Sequence, residues 1–171
     1  MTLLSVRNLS VAIHEKPIVK DISFNLGVGE ILALTGESGS GKSISALALM
    51  GLLPLGSKKG GIINFDGNDL NKISENKFCK LRGKKISMVF QEPMTALNPL
   101  KNIGRQISET LVQHKACAPH ELKNRVRNTM DRGWIKRYRP VTFPSSTIGG
   151  PTSACSHCYG CLFGTKHFNC R

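Results

Sequence analysis

The chain has 171 residues, 40% of them hydrophobic, and its 24 Lys and Arg outnumber 11 Asp and Glu, giving a formal net charge of +13. This length predicts one domain with a real core, and the composition excludes a disordered polyelectrolyte. No run of about eighteen apolar residues is present, which excludes a membrane-spanning helix. Because the first residues lack the apolar region of a signal peptide, we expect the protein to stay in the cytosol.

The charge is distributed unevenly along the chain. Residues 1–132 hold 19 Lys and Arg against 11 Asp and Glu, whereas residues 133–171 hold 5 Lys and Arg and no acid. A basic balance fits nucleic acid or an anionic membrane surface. An ordinary solvated surface is the alternative that we favour, because no pattern of aromatic and basic residues accompanies the charge. We expect no nucleic-acid partner.

The first elements predicted are strands. Leu3 to Ile13 and Ile18 to Leu26 have the apolar spacing of strands, and a turn from His14 to Pro17 separates them. Ile31 to Leu34 is a short apolar run, which predicts a buried strand. The apolar residues from Ile44 to Leu53 predict a largely buried helix that ends before Pro54.

A phosphate-binding loop is predicted between that strand and that helix. Its residues fit the pattern G-x-x-x-x-G-K-[ST] and are Gly36, Glu37, Ser38, Gly39, Ser40, Gly41, Lys42 and Ser43. Strand, glycine loop and helix together aim backbone N–H groups and the positive end of the helix at phosphate oxygens. Lys42 would reach the β- and γ-phosphates, and the Ser43 hydroxyl would ligate Mg²⁺. The alternative is a Gly- and Ser-rich loop with a chance lysine.

Further along, the elements alternate. Residues 56–61 predict a flexible connection, and residues 62–67 predict a strand that enters an Asp-Gly turn. A helix capped by Ser74 and a strand over residues 86–90 follow. The loop of residues 91–99 contains Pro93 and Pro99, which forbid regular structure there. Amphipathic helices are predicted over residues 102–114 and 119–131.

Residues 1–131 resemble the nucleotide-binding subunit of an ABC transporter of the oligopeptide and dipeptide importer type. The phosphate loop alone indicates only a nucleotide-binding protein. The more specific match is the run Met88 to Pro99, in which Gln91-Glu92-Pro93-Met94 precedes Leu97-Asn98-Pro99. The resemblance implies an α/β fold: a P-loop (RecA-like) core with an N-terminal antiparallel β portion and the start of a helical subdomain, incomplete at the C-terminus.

The resemblance also implies roles for individual residues. Gln91 corresponds to a glutamine that contacts Mg²⁺ and the attacking water and relays the nucleotide state to the membrane subunit. Lys42 and Gln91 would then be catalytic, Ser43 and Gln91 would hold Mg²⁺, and the phosphate loop would hold ATP. The aromatic residue that usually stacks on adenine is replaced by Ile13, beside His14, so stacking is weaker unless His14 substitutes. The simpler alternative is that His14 is a plain surface residue.

The partners and the location also follow from the resemblance. We expect transmembrane permease subunits, a second ATPase subunit in a homo- or heterodimer, and indirectly a solute-binding protein. Peripheral attachment at the cytoplasmic face of the inner or plasma membrane is the corresponding location. The activity is ATP hydrolysis coupled to import of peptides or similar solutes.

The chain departs from the family after Arg132. The signature Leu-Ser-Gly-Gly-Gln, the Walker B Asp-Glu and the switch histidine are missing from residues 133–171. If the residues from Phe143 onward are back-translated with free choice of codons and read one nucleotide later, they can spell FPHQLSGGQRQR. We therefore predict a one-base frameshift near Arg132, either a real lesion or a sequencing error, and domains of 1–92, 93–132 and an aberrant tail of 133–171. Such a chain would bind ATP without hydrolysing it.

The tail is rich in cysteine, at Cys155, Cys158, Cys161 and Cys170. With His157 and His167 these residues superficially resemble a zinc cluster, although the spacing is not a standard pair of knuckles. An accidental thiol-rich tail explains them better. Two alternatives to the transporter subunit stay open: a stand-alone ATP-binding protein or regulator without turnover, and a basic module that binds zinc or nucleic acid.

Overall fold

The computed structural model describes residues 2–90, 97–132 and 143, and only the backbone of residues 166–169. The chain divides into two compact units, Met1–Phe78 and Cys79–Arg171. Within the described part of the chain, no helix has the length and the apolar character needed to cross a membrane. The domain boundaries placed at residues 92 and 132 stay predictions.

The first unit is built on an antiparallel sheet with the strand order β2-β1-β3-β4. Its strands are β1 (Thr2–Ile13), β2 (Lys16–Gly27), β3 (Ser57–Phe65) and β4 (Asn68–Asp69). Residues of β1 and β3 that share one face bury their side chains: Leu4, Val6, Leu9, Val11, Ile63 and Phe65. The two predicted N-terminal strands are confirmed, because apolar alternation on one face specifies which side of the sheet is buried.

Two tight turns connect neighbouring strands of this sheet. His14 and Glu15 have φ of 47° and 64° between β1 and β2, and Asp66 and Gly67 have φ of 50° and 78° between β3 and β4. Positive φ at both central residues is the geometry of a type I′ hairpin. The predicted Asp-Gly turn is confirmed, and β2 resumes at Lys16, two residues before the predicted start.

The flexible connection predicted over residues 56–61 is wrong. Residues from Ser57 onward belong to β3, and Ser57, Lys59 and Gly60 pair with Ile13, Val11 and Ser10 of β1. The glycines and lysines of this segment have low strand propensity. Pairing with β1 supplies their backbone hydrogen bonds, and a strand forms in spite of that low propensity. Gly61 has φ of 87°, and a side chain there would collide with the backbone of Arg7 and Asn8, so a glycine is required at this bulge.

The buried strand predicted over Ile31–Leu34 is also wrong. These residues have no strand structure, and the side chains of Ile31, Leu32 and Leu34 are exposed to 98%, 45% and 43%. An apolar run forms a strand only where another strand supplies its hydrogen bonds. Among the described residues of the first unit, none pairs with this run.

Helix α1 (Lys42–Met50) follows the phosphate loop and is shorter than predicted. Gly51 adopts the left-handed conformation, with φ of 63°, and the Leu52 N–H donates to the Leu47 carbonyl at 2.9 Å. A glycine in this conformation ends a helix, so α1 is terminated by Gly51, three residues before Pro54. Leu52 is consequently exposed, whereas Ala48, Leu49 and Met50 are buried.

The second unit contains a helical pair and a short parallel ladder. Helices α3 (Ile103–Gln113) and α4 (Leu122–Arg132) pack through Leu97, Ile103, Ile107, Leu111, Val126 and Met130. A 3₁₀ turn at Pro119–Glu121 precedes α4, and α2 (Glu75–Leu81) precedes strand β5 (Ile86–Val89). Each predicted helix in this region is confirmed within a few residues. Strand β5 pairs in parallel with β6 (Lys166–Asn169).

Candidate functional site

The predicted phosphate loop lies at the N-terminus of α1. The helix begins at Lys42, and Gly41, the preceding residue, has φ of 86° and ψ of 8°. The first intrahelical hydrogen bond runs from the Ser45 N–H to the Gly41 carbonyl at 2.8 Å, and no side chain in the described chain caps the helix. The first N–H groups of the helix are therefore left available for an external acceptor.

The Lys42 ammonium group lies over the loop that precedes it. Its Nζ donates to the carbonyl oxygens of Gly36 at 2.7 Å and Glu37 at 2.6 Å, and to the Ser40 hydroxyl at 3.2 Å. The loop thus holds its lysine with backbone acceptors, which the sequence pattern did not predict. Gly36, Glu37 and Ser40 are all exposed residues.

Gly41 fixes the start of α1 against β2. A side chain at this position would lie 2.9 Å from Val19 Cγ2 and 3.0 Å from the Ile18 carbonyl oxygen. The buried Ser45 hydroxyl also donates to the Gly41 carbonyl, at 2.9 Å. Sequence reasoning missed Ser45, although a serine four residues after a glycine at a helix start is the spacing that allows this bond.

The loop and the helix start fit a phosphate group. The N–H groups at the start of α1 and the Lys42 ammonium group are donors that suit phosphate oxygens. The hydroxyl of the exposed Ser43 is a ligand that suits the cation associated with a phosphate. Ser38 and Gly39 are exposed in the same loop. The eight residues predicted for the loop are consecutive in the sequence, and the structure adds that Gly36, Glu37 and Ser40 surround the Lys42 ammonium group.

Ile13, the residue predicted to lie at adenine, is the last residue of β1 and is half-buried. It pairs with Lys16 and with Ser57. His14, the alternative, lies against Gly56, where a side chain would be 2.8 Å from His14 Nε2. The His14 N–H donates to the Gly56 carbonyl at 3.2 Å, so this histidine has a role in the turn. The assignment of Ile13 to adenine stays a prediction.

Gln91, predicted to contact Mg²⁺ and water, lies outside the described residues. Strand β5 ends at Val89, and the described chain resumes at Leu97. The cysteine cluster of the tail also lies outside the described residues. Among those that are described, no group of three His, Cys, Asp or Glu residues is arranged to hold a metal ion.

A separate cavity of about 510 Å³ lies on the antiparallel sheet, and its lining includes Lys20, Asp21, Lys58 and Lys59 but none of the loop residues 36–43. Burial lowers the pKa of Lys59, and the carboxylate of Asp69 partly opposes this effect. Lys58 instead forms an exposed ion pair with Glu15 at 2.6 Å. The cavity therefore carries positive charge away from the phosphate loop.

Comparison with known families decides the assignment. The family "ABC transporter" matches residues 19–148, which includes the phosphate loop, β5 and the helical pair. The chain belongs to the ABC transporter family. The match extends into the region after Arg132, and the frameshift near that residue stays a prediction.

The curated relatives are transport ATP-binding proteins. The oligopeptide transport ATP-binding protein AppD of Bacillus subtilis is 45% identical over 87% of this chain and 48% of its own length. The oligopeptide transport ATP-binding protein OppD of Escherichia coli is 44% identical over 70% of this chain and 36% of its own length. The predicted resemblance to peptide importers is confirmed, and the chain spans about half of these relatives or less.

Solved structures share the fold. The ATP-binding cassette MJ0796, in a dimeric post-hydrolysis state with ADP and Pi, has a TM-score of 0.80 at 20% identity, with coverage of 95% of this chain and 71% of that chain. CbiO1 of Clostridium perfringens, part of the ABC transporter complex cbiONQ, has a TM-score of 0.73 at 24% identity, over 98% and 64%. The predicted α/β fold of an ABC nucleotide-binding domain is confirmed.

Proposed function

We propose that this chain binds ATP as the nucleotide-binding subunit of an ABC importer for peptides or similar solutes. The observation that carries the proposal is the uncapped start of α1 with Lys42 directly at its N-terminus. Membership of the family and the names of the relatives, which are oligopeptide transport ATP-binding proteins, support the nucleotide and the solute class.

The residues present act on the phosphates mainly by binding and orientation. The N–H groups of the loop and of the first turn of α1 bind phosphate oxygens, and Lys42 exchanges its bonds with Gly36 and Glu37 for bonds to phosphate. Ser43 and Gln91 are the proposed ligands of Mg²⁺, which supplies charge neutralisation when it is bound. The proposed role of Gln91 is also to orient water.

The proposed assembly contains two such subunits, transmembrane permeases and a solute-binding protein, at the cytoplasmic face of the membrane. The signature Leu-Ser-Gly-Gly-Gln is absent from residues 133–171. We propose that a chain with this sequence binds ATP without turnover. A stand-alone ATP-binding regulator gives the same binding but no association with permeases. Co-purification with permease subunits of the same cell distinguishes the two functions.

ATP binding is tested by titration of the purified chain with a fluorescent ATP analogue. We expect Lys42→Ala to weaken binding about 10- to 100-fold, because it removes a charge-assisted hydrogen bond to phosphate. Lys58→Ala is the matched control, since it removes the same charge from an exposed position outside the loop. The proposal fails if the unaltered chain does not bind, or if both variants weaken binding equally.

The origin of the tail is tested separately by resequencing the coding DNA across codons 128–136. A spurious base there would mean that the true protein continues into the signature and Walker B motifs, and that its residues after Arg132 differ from those printed. A confirmed sequence whose shifted frame lacks the string LSGGQ would overturn the frameshift.

A further inference from the structure

The cavity on the antiparallel sheet has a lining that is both apolar and basic. Its volume is about 510 Å³, which falls in the range of roughly 300–1,000 Å³ that is typical of small-molecule sites. Residues of β1, β2 and β3 line it, and all of them belong to the first unit. None of the residues of the phosphate loop is among them. The cavity is therefore a candidate site that is separate from the one proposed for ATP.

Irregular strand pairing shapes the sheet at this cavity. Asn8 and Asp21 have φ of 52° and 50°, and the register of β1 shifts beside Ser10 in its ladders with both β2 and β3. Bulges of this kind bend a sheet and increase its twist. The Asn8 Nδ2 donates to the Asp21 Oδ1 at 2.7 Å, and the Asp21 N–H donates to the Ser10 Oγ at 3.1 Å. Hydrogen bonds between β1 and β2 thus hold the bend, and both Ser10 and Asp21 line the cavity.

The β1–β2 hairpin supplies the apolar part of the lining. Val11 and Ala12 of β1 line the cavity together with Pro17 and Val19 of β2. Val11 pairs with Val19, and Ala12 pairs with Pro17. These side chains carry no group that binds water strongly, so the hydrocarbon part of a ligand is the part that gains most by lying against them.

Lysines supply the charge of the cavity. Lys20, Lys58 and Lys59 line it together with one acid, Asp21, so three positive charges and one negative charge give a net charge of +2. Because β2 and β3 flank β1, Lys20 and Lys58 approach the cavity from opposite sides. Lys20 takes part in none of the ion pairs found among the described residues. Lys58 pairs with Glu15, but both side chains are more than 70% exposed, so this pair is weak and Lys58 can exchange it for another anion.

We propose that this cavity binds a small organic anion with an apolar body, of which a medium-chain carboxylate is the simplest example. The apolar body lies against the residues of the hairpin, and the ammonium groups of Lys20 and Lys58 bind the anionic group. The aliphatic part of a lysine side chain can cover apolar surface while its ammonium group stays at the rim. A cationic ligand of the same size would meet like charges, so the cavity selects against it. This inference does not depend on ATP binding, because the phosphate loop does not line the cavity.

The test is a titration of the isotope-labelled full chain with sodium octanoate, followed by the NMR shifts of its amide signals. The double variant Lys20→Met and Lys58→Met removes two charges from the cavity, and Ala12→Phe places a large side chain in its lining. Lys77→Met is the matched control, because Lys77 is an exposed lysine of α2 outside the lining. Octylammonium chloride, which has the same alkyl chain and the opposite charge, is titrated in parallel. A further octanoate titration contains ATP, and circular dichroism checks that each variant is folded.

We expect octanoate to shift the signals of the lining residues in β1, β2 and β3, with or without ATP. The double lysine variant should bind octanoate about tenfold more weakly, because it loses charge-assisted contacts, and Lys77→Met should stay within about twofold. Octylammonium should bind at least about tenfold more weakly than octanoate. Shifts confined to the exposed run Ile31–Leu34, equal weakening in Lys77→Met, equal binding of octylammonium or displacement of octanoate by ATP would each overturn the inference. Should Ala12→Phe not fold, the lysine variant decides; a chain that binds octanoate but no ATP refutes only the proposed function.

Discussion

Two short apolar runs in this chain were predicted as strands, and only one of them became a strand. Ile86–Val89 forms β5, with Ile86 and Ser87 buried. Ile31–Leu34 forms no strand, and Ile31 is almost completely exposed. The first run pairs with the backbone of β6, and none of the described residues of the first unit pairs with the second run. The run with no polar residue is the one that forms no strand, so apolar composition alone does not decide the outcome and a partner strand is needed.

The largest expected effect comes from truncating one residue in each run. Ile86→Ala should lower the free energy of unfolding by about 2–5 kcal/mol, because it leaves a cavity at a buried position. Ile31→Ala, the matched control, should change it by no more than about 0.5 kcal/mol. Urea unfolding followed by circular dichroism measures both. Equal losses would mean that residue 31 is buried in solution, and the contrast between the runs would fall.

Gly60 and Gly61 lie in the segment that was predicted to be a flexible connection and that instead pairs with β1 as part of β3. Gly61→Ala should destabilise by about 1–3 kcal/mol, because φ is 87° and the new methyl group meets the backbone of Asn8. Gly60→Ala should be neutral or slightly stabilising, since its methyl group would lie 3.9 Å from Ser10 Cβ. Thermal unfolding of the two variants compares them. A neutral Gly61→Ala would show that β3 does not pair with β1 there.

Lys59 is a partly buried charged residue of β3, and its pKa predicts how stability depends on pH. Burial lowers its pKa, so the folded chain binds this proton less tightly than the unfolded chain does. Stability should therefore rise with pH between the lowered pKa and the ordinary value of 10.5. Because the group is half-exposed and screened by water, Lys59→Met should gain no more than about 1 kcal/mol and lose this pH dependence. A variant with the same pH profile as the unaltered chain would contradict the assignment.

The smallest expected effect is at Glu109 on the exposed face of α3. The hydrogen bond from Lys101 at 2.9 Å lowers the pKa of this carboxyl group, with Arg105 adding to the effect. A lowered carboxyl pKa stabilises the fold above the ordinary value of 4.5, and this contribution is lost as pH falls through the lowered value. The unaltered chain should lose slightly more stability than Glu109→Gln between pH 7 and pH 3. Unfolding midpoints at the two pH values measure the difference, and a larger loss in the variant would contradict it.

The sequence was sufficient where local chemistry decides the structure. Asp66-Gly67 specifies a type I′ turn by its tolerance of positive φ, and Asn102 specifies a helix start by its side-chain oxygen. The phosphate loop is recognisable because its glycines, Lys42 and the following helix are contiguous in the chain.

Most of the structural features that the sequence did not predict depend on contacts between residues far apart in the chain. The pairing of Ser57 to Gly60 with β1, and the exposure of Ile31, depend on which distant segment lies alongside. The end of α1 was misplaced for a different reason, since Gly51 was available as a signal and Pro54 was used instead. The hydrogen bonds of the buried Gln106 side chain to the backbone of Asn98 were not predicted, because a backbone partner eight residues away carries no sequence signature.

The phosphate loop and α1 come between β1 and β3 in the sequence. The two strands nevertheless pair side by side in the sheet, with Ile13 opposite Ser57 and Leu4 opposite Phe65. Residues 31–40 are all exposed, so a protease has access to the chain there. One cut in this segment would separate the β1–β2 hairpin from the rest covalently but would leave its ladder with β3 intact. The two pieces should remain together through gel filtration and separate only in denaturant. We therefore expect the sheet to remain paired when the chain is cut at the phosphate loop.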